Sequence, residues 1–402
     1  MTLSKPMPRP SLEMLRALTD ENVLRALMAE PRLTRAEIAA RTGISKPTIS
    51  DSVQRLNRTG LVVDTGERTT GRGRVGSYYG LAPRLGAALV VGITPYGVTA
   101  EAVDALGRVR VREETRFGPD ATPRAIGAAL DATVRAVATC AEGGLRTGVV
   151  SAADPVDRTT GRLVHLPDAP FLVGDLDPPA VLAPYVDGPV LVDNDVNWAA
   201  RAEHADGHAR GIDDFVYLHL GEGLGGAVVS DGEVRRGHHG FAGEIAHLSV
   251  PGPDGTAMAL TEVFAALGLR RPGSTAVDVD ALHVRLAAPD ERGARTRTVL
   301  ADAVGAVLAA AVAFADPRTV VVGGAWGPAL VPALDARFGR GPRPVPVTAA
   351  GLSDPEPAGA RAHAVDRLRA LIVRSAHPAL TDSGRRPFRP PTPSTPPTQE
   401  TP

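Results

Sequence analysis

Residues 34–60 read TRAEIAARTGISKPTISDSVQRLNRTG. Thr34 with Glu37 three residues on is a capping-box pattern, in which a hydroxyl and a carboxylate each satisfy a backbone N–H at a helix start. Gly43 offers the left-handed conformation that closes a helix, so one helix is expected over TRAEIAART. Ser45 caps the next, and Pro47 falls near its start, where a missing N–H costs nothing. Ile49, Val53 and Leu56 then recur at i, i+4 and i+7 along one face. Two short helices joined by a tight glycine turn follow from this pattern.

Upstream, Thr19 to Met28 places Val23, Leu24, Leu27 and Met28 on one face of a preceding helix. Downstream, LVVD reads as a short strand, the loop ERTTGRGRVGSYYG is rich in arginine, and a second apolar stretch covers Tyr78 to Leu81. That is a hairpin with a cationic tip. Three helices and a basic hairpin make a winged helix-turn-helix. Its third helix can lie in a major groove with Ile49, Val53 and Leu56 inward, turning Lys46, Thr48, Ser50 and Gln54 toward the bases or phosphates of double-stranded DNA. Arg72 and Arg74 stand on a loop where Gly71, Gly73 and Gly76 let the backbone approach a minor groove or the phosphates. Asp51 reads as an exposed cap or a group that repels wrong partners. Between Arg32 and Arg74 nine Lys and Arg face four Asp and Glu, so with a net charge of −1 overall the rest of the chain carries −6. A basic loop alone is usually just solvated. Here capping, helix spacing and wing agree on DNA. One recognition helix covers few base pairs, so a palindromic operator read by a homodimer or higher homo-oligomer is expected.

The 402 residues exceed one compact core, and 43% hydrophobic with 22% charged residues is a globular composition. From about Leu85 the pattern becomes βα alternation: AALVVGI, VTAEAVDA, a helix from Pro123 to Ala141, then TGVVSA, VLVDND, FVYLHLG, GGAVVSD and TVVVGG, with an Ala-rich helix at 298–315 before the last. An α/β domain of two lobes is expected. Boundaries are set at 1–83 for the DNA-binding domain, 84–374 for the α/β domain and 375–402 for a disordered Pro-rich tail. No signal peptide and no window approaching a membrane span is read, so the protein is expected in the cytoplasm without membrane contact. The single cysteine, Cys140, excludes an intrachain disulfide and reads as a small core residue.

Four segments in order resemble the ROK family of repressors, open-reading-frame proteins and sugar kinases. SAADPVDRTTGRLVHLPDAP is similar to the family's Pro-Gly-x-Val-Asp segment, with Asp154 where glycine is usual. VDNDVNWAARAEHADG resembles the Glu-Asn-Asp-Ala-Asn-x-Ala motif, GEGLGGAVVSDGEVRRGHHGFAGEIAHLSV the second phosphate loop running into the Gly-Glu-x-Gly-His sugar motif, and DPRTVVVGGAWG the adenosine-side Gly-Gly loop. The resemblance implies a two-lobed actin-like, ribonuclease H-like domain of sugar-kinase type behind the winged helix-turn-helix. It implies a small sugar effector held by Asn194 and Asp195 near the reacting carbon, by Glu244 and His247 on the other edge, and by Glu262 as a third carboxylate. Carboxylates, amides and imidazoles suit a pyranose because each gives its hydroxyls directional hydrogen bonds.

The same comparison implies lost catalysis. The kinases' first phosphate loop, Asp-x-Gly-Gly-Thr, corresponds to GITPYGVTAEAV, where Thr94 replaces the Asp, Tyr96 a Gly and Val98 the Thr, and Pro95 removes a backbone donor. Glu222 stands in the second loop where the kinases have Thr. Asp195 holds the general-base position and is expected to act as a hydrogen-bond acceptor for the sugar. The family's structural zinc uses a cysteine cluster where this chain reads PGPDGTAMALTEVF, so no metal is expected. The expected function is a sugar-gated transcriptional regulator of carbohydrate metabolism, a repressor by class, with no catalytic residue and no cofactor. Two alternatives are a DNA-binding regulator whose sensor has drifted to another ligand and an active sugar kinase.

Overall fold

The computed structural model describes residues 12–70, 75–118, 121–166, 172–340 and 343–377. They divide into two units, one of residues 12–82 with 369–377 and the other Pro83–Leu368.

In the first unit α1 (Leu12–Ala29), β1 (Leu33–Thr34), α2 (Arg35–Thr42), α3 (Lys46–Arg58), β2 (Val62–Arg68) and β3 (Ser77–Leu81) follow one another. The capping box at Thr34 forms with both hydrogen bonds, Gly43 closes α2 at φ +69°, and the Ser45 side chain accepts from Thr48 N. Val23, Leu24, Leu27, Ile38, Ile49, Val53 and Leu56 make the core. The strands run β1-β3-β2, with Val62 opposite Leu81 and Arg68 opposite Ser77. α1 begins seven residues earlier than the apolar spacing indicates, because Leu12, Leu15 and Leu18 are exposed and lie outside the buried stripe. Buried Asp20 accepts from Ser52 Oγ (2.5 Å) and Arg55 Nη2 (2.6 Å), tying α1 to α3. His377 Nε2 lies 3.1 Å from the same carboxylate, and Arg369 Nη2 donates to Met28 O. These bonds place 369–377 with the first unit, whereas the sequence reading set the domain edge at 374.

The second unit holds β4 (Ala87–Thr94), β5 (Gly97–Val103), β6 (Val109–Arg116), α4 (Pro123–Cys140), β7 (Leu145–Ala152), α5 (Pro178–Leu182), β8 (Val190–Asn194) and α6 (Asp195–Asp206). β9 (Phe215–Leu220), β10 (Leu224–Ser230), β11 (Glu233–Val234), β12 (Ser249–Pro251), β13 (Ala257–Ala259), α7 (Leu260–Ala266), α8 (Val279–Ala287) and α9 (Glu291–Ala315) come next. β14 (Thr319–Gly323), α10 (Val331–Phe338), β15 (Val347–Ala349) and α11 (Pro355–Ala376) complete the order. α11 belongs to this unit through Leu368.

Two five-stranded sheets share one plan. The first runs β6-β5-β4-β7-β8 and the second β11-β10-β9-β14-β15. In each, the first three strands form an antiparallel meander and the last two join in parallel through helical crossovers. Each lobe therefore has one hairpin turn at the same topological place, Pro95–Tyr96 between β4 and β5 and Gly221–Gly223 between β9 and β10. Leu89, Val91, Ile93, Leu130 and Val134 fill the first core, and Val216, Leu218, Leu300, Val304 and Val320 the second.

Two expectations are corrected. α9 is long and apolar enough to cross a membrane by length and composition. One face of it, Val299, Leu300, Ala303, Val304, Val307 and Leu308, is buried against the second sheet, as in a core helix. Cys140 is exposed and not a core residue, because it ends α4 beyond the buried Val134 and Val137. The expected tail from residue 378 lies outside the described residues.

Candidate nucleic-acid interface and ligand cavity

The cap at Ser45 starts α3 so that its apolar positions turn inward, which leaves Lys46, Thr48 and Gln54 exposed on the opposite face. Ser50 is half-buried, and its hydroxyl accepts from Arg35 Nη1 at 3.2 Å. Arg72 and Arg74 lie outside the described residues. Other cations on and beside the hairpin are paired within the unit: Arg32, just before β1, pairs with Glu67, and Arg68 with Asp64 at 2.9 Å. Arg35, which the sequence reading passed over, stacks on the Tyr79 ring at 4.9 Å and donates to its hydroxyl at 2.6 Å, fixing α2 to β3. Among the described residues Lys46 and Arg58 carry positive charge on α3 without a carboxylate partner.

In the second unit a cavity of about 320 Å³ is lined by Asn194, Asp195, Asn197, His219, Glu222 and Glu244, with Pro95 and the glycines of both loops around 221–226 and 240–243. β8 ends and α6 begins at its floor. Asn194 is the N-cap of α6: its Oδ1 accepts from Val196 N (2.9 Å) and its Nδ2 donates to Asp154 O (3.1 Å). Asp195 follows as the first helical residue, its Oδ1 2.8 Å from the same N–H. Glu244 reaches the cavity because Gly243 takes φ +99° and packs its backbone on β10, where a Cβ would meet Gly226 O at 1.8 Å. No side chain could replace that glycine without moving the strand or the loop.

Burial sets the electrostatics. It raises the Asp195 carboxyl to about 7, against the opposing pull of His219. It raises Glu244 to about 7 as well, helped by the charge of Asp154. Asp154, in the glycine position of the resemblance, is fully buried and also raised to about 7 by burial, though Gly174 N donates to its Oδ1 at 2.8 Å. Its Oδ2 has no hydrogen-bond partner among the described residues. Asp195 and Glu244, two of these three raised carboxyls, line the cavity, and Asp154 is buried behind its wall residue Ala153.

Asn194, Asp195 and Glu244 thus meet at the main cavity. His247 lines a smaller recess beside it, of about 70 Å³, which shares Glu244 and adds Thr261 and Thr275. Glu262 is not brought there. α7 buries Leu260, Thr261, Val263 and Phe264, which turns Glu262 to the exterior, 54% exposed and 2.9 Å from Arg270. A second cavity, about 620 Å³, shares Asp195 and His219 with the first and is walled by Thr94, Thr99, Asp354, Glu356 and a buried Glu101 held by Arg361. Thr94 keeps its hydroxyl within its own turn, donating to Gly97 O and accepting from Tyr96 N at 3.2 Å each. Among the described residues no group of three or more His, Cys, Asp or Glu side chains is disposed to hold a metal ion.

Comparison with known proteins places both units. The ROK family matches residues 90–330, and a winged helix-turn-helix DNA-binding domain matches residues 16–63. An N-acetylmannosamine kinase of Citrobacter koseri is 30% identical over 256 residues, 60% of this chain and 83% of that protein. A bifunctional NanE/NanK enzyme of Brucella melitensis is 35% identical over 142 residues, 35% of this chain, and the match spans only 27% of that longer protein. Among solved structures, a ROK family transcriptional regulator described as a homolog of the E. coli MLC protein superposes with a TM-score of 0.62 at 17% identity, covering 90% of this chain and 99% of its own. A ROK family glucokinase from Streptomyces griseus, in complex with glucose and AMPPNP, gives 0.52 at 24% identity, covering 70% of this chain and all of its own. The fold is the actin-like one of the sugar kinases, and the chain belongs to the ROK family, with a DNA-binding winged helix-turn-helix ahead of its ROK domain.

Proposed function

We propose that this chain is a sequence-specific DNA-binding regulator of carbohydrate metabolism, a repressor by class, whose ROK domain binds a small sugar without phosphorylating it. The observation that carries the reading is the pairing in one chain of an exposed recognition face, Lys46, Thr48 and Gln54, with a polar cavity built on Asn194, Asp195 and Glu244. A monosaccharide's hydroxyls match the amides and carboxyls there, and His247 adds a donor or acceptor from the adjoining recess. Arg72 and Arg74 are assigned to DNA phosphates or the minor groove, Ser50 to the rim of the recognition face.

Catalysis is disfavoured by chemistry at both hairpin turns. Thr94 offers no carboxylate to a metal, and Glu222 would set a negative charge beside a triphosphate. A second reading, an active sugar kinase, is favoured by the 30% identity to an N-acetylmannosamine kinase. ADP release with a panel of hexoses and ATP separates the two, and turnover would sink the non-enzymatic reading.

The test of the regulator is fluorescence anisotropy on an operator recovered by genome-wide mapping of bound DNA, titrated with free monosaccharides. Coupling of about 1–3 kcal/mol between the sites would move operator affinity roughly 5- to 150-fold. Asp195→Asn and Glu244→Gln should blunt the sugar response and leave sugar-free DNA binding nearly unchanged. Gln54→Ala should cost about 1–3 kcal/mol at selected base pairs only. If no sugar moves the curve, the sensor has another ligand.

A further inference from the structure

The two hairpin turns that occupy equivalent places in the two lobes are joined to each other. Tyr96, at the tip of the β4–β5 turn, donates its hydroxyl proton to Glu222 Oε2 in the β9–β10 turn. Arg271, in the loop after α7, pairs through Nη2 with Glu222 Oε1 and donates through Nη1 to Tyr96 Oη at 2.6 Å. Its guanidinium carbon also stands 6.0 Å from the centre of the Tyr96 ring. The three groups satisfy one another: the phenol donates once and accepts once, the carboxylate accepts with both oxygens, and the guanidinium donates to both partners through Nη1 and Nη2. The Glu222 backbone is anchored as well, since its carbonyl accepts from Val277 N at 2.9 Å, beside the strand bridge that holds Arg270 to Val277.

In a two-lobed fold with a cleft between equivalent turns, a ligand reaching both turns draws the lobes together. Here side chains of the protein itself reach across. We propose that Tyr96, Glu222 and Arg271 form a built-in clasp that holds the two lobes closed over the cavity. Pro95 and Glu222 both line that cavity, so the clasp also fixes part of its wall. Each group suits the task. Pro95 restricts the turn that presents the phenol, and the ring's reach lets a residue on one lobe meet a carboxylate on the other. The ion pair keeps partial exposure, 39% on Arg271 and 31% on Glu222, so salt screens it and the clasp can open. The lobes' closure equilibrium is then set by this chain's own side chains and by ionic strength.

Distance measurement by pulsed electron paramagnetic resonance tests the clasp on the full-length protein. Cys140 is the single cysteine, is exposed and lies on the first lobe, and Ala313 is exposed on α9 of the second, so spin labels at Cys140 and A313C report the separation of the lobes. The expected wild-type result is one narrow distribution without ATP or sugar. Glu222→Ala, Arg271→Ala and Tyr96→Phe should each add a longer separation, Tyr96→Phe least, and 0.5 M salt (roughly a 4 Å screening length) should do the same to the wild type. The charge swap E222R with R271E should restore the narrow distribution, which separates loss of the clasp from loss of folding. Three single variants with the wild-type distribution, or a swap that fails to narrow it, would overturn the proposal. None of these readouts requires that the cavity bind a sugar.

Discussion

Asp20 in the DNA-binding unit and Asp154 in the ROK domain are both buried, at 2% and 0% exposure. Asp20 is surrounded by donors: Ser52, Arg55 and His377 all reach its two oxygens. Asp154 has backbone N–H donors for one oxygen and no partner among the described residues for the other, and burial lifts its carboxyl to about 7. The first arrangement gives both oxygens a donor and ties two helices together. The second leaves a group that gains or loses its proton near neutrality, beside a cavity where Asp195 and Glu244 do likewise. Saturated polar networks specify a structure, and an under-satisfied buried carboxyl leaves its proton sensitive to the surroundings.

The strongest way to break that contrast is at Asp20. Asp20→Ala leaves the half-buried Arg55 and the buried Ser52 hydroxyl without their acceptor, and losing hydrogen bonds to a charged group costs about 1.5–3 kcal/mol. Urea denaturation followed by operator binding should show the DNA-binding unit unfolding first; a loss within error of zero would mean that the network is incidental.

A smaller effect is expected from pH. The folded carboxyls of Asp154, Asp195 and Glu244 sit at about 7, against ordinary values of 3.8 for Asp and 4.5 for Glu. Between those limits the folded state binds more protons than the unfolded one, so stability falls as pH rises toward 7 and levels off above it. Circular dichroism melting of the ROK domain transition should drop by several degrees from pH 5 to pH 8, and the drop should shrink in Asp154→Asn and in Glu244→Gln. A midpoint that rises over that range would contradict the raised carboxyls.

The smallest effect sharpens the other side of the comparison. Thr34→Ala removes one half of the capping box, whose Glu37 carboxylate is held below its usual range by the Thr34 backbone N–H and hydroxyl. The expected loss is about 1 kcal/mol by chemical denaturation. Serine at the same position should recover most of it.

The DNA-binding unit was legible because its determinants are local. Thr34 with Glu37, Gly43, Ser45 and the i+4 spacing of α3 all act within one or two turns, and each formed as read. β4, β5, β7, β8, β9, β10 and β14 were also legible as apolar runs, whereas the polar, exposed β6 and the short β11 and β15 were not, and Asn194, Asp195 and Glu244 from the ROK-like motifs meet at one cavity. α11 was missed although Ala360, Ala364, Leu368 and Ile372 recur every four residues and are fully buried. Small alanines among four arginines hide an apolar stripe that packing makes plain. Glu262 was misplaced because a carboxylate beside a motif says nothing about which helix face it occupies. The Tyr96, Glu222 and Arg271 trio spans 175 residues, and no local pattern encodes it.

The repeated sheet plan also governs the order in which the chain can assemble. β4 to β6 and β9 to β11 are meanders closed by short turns, whereas β8 and β15 wait for segments delivered over helical crossovers. Short loops cost less entropy to close and form sooner than long ones. Each lobe should therefore nucleate at its hairpin, so that the turns bearing Tyr96 and Glu222 exist before the lobes that they join are complete. Pulse-labelled hydrogen exchange during refolding should protect β4, β5, β9 and β10 ahead of β8 and β15; the reverse order would show that the crossovers lead.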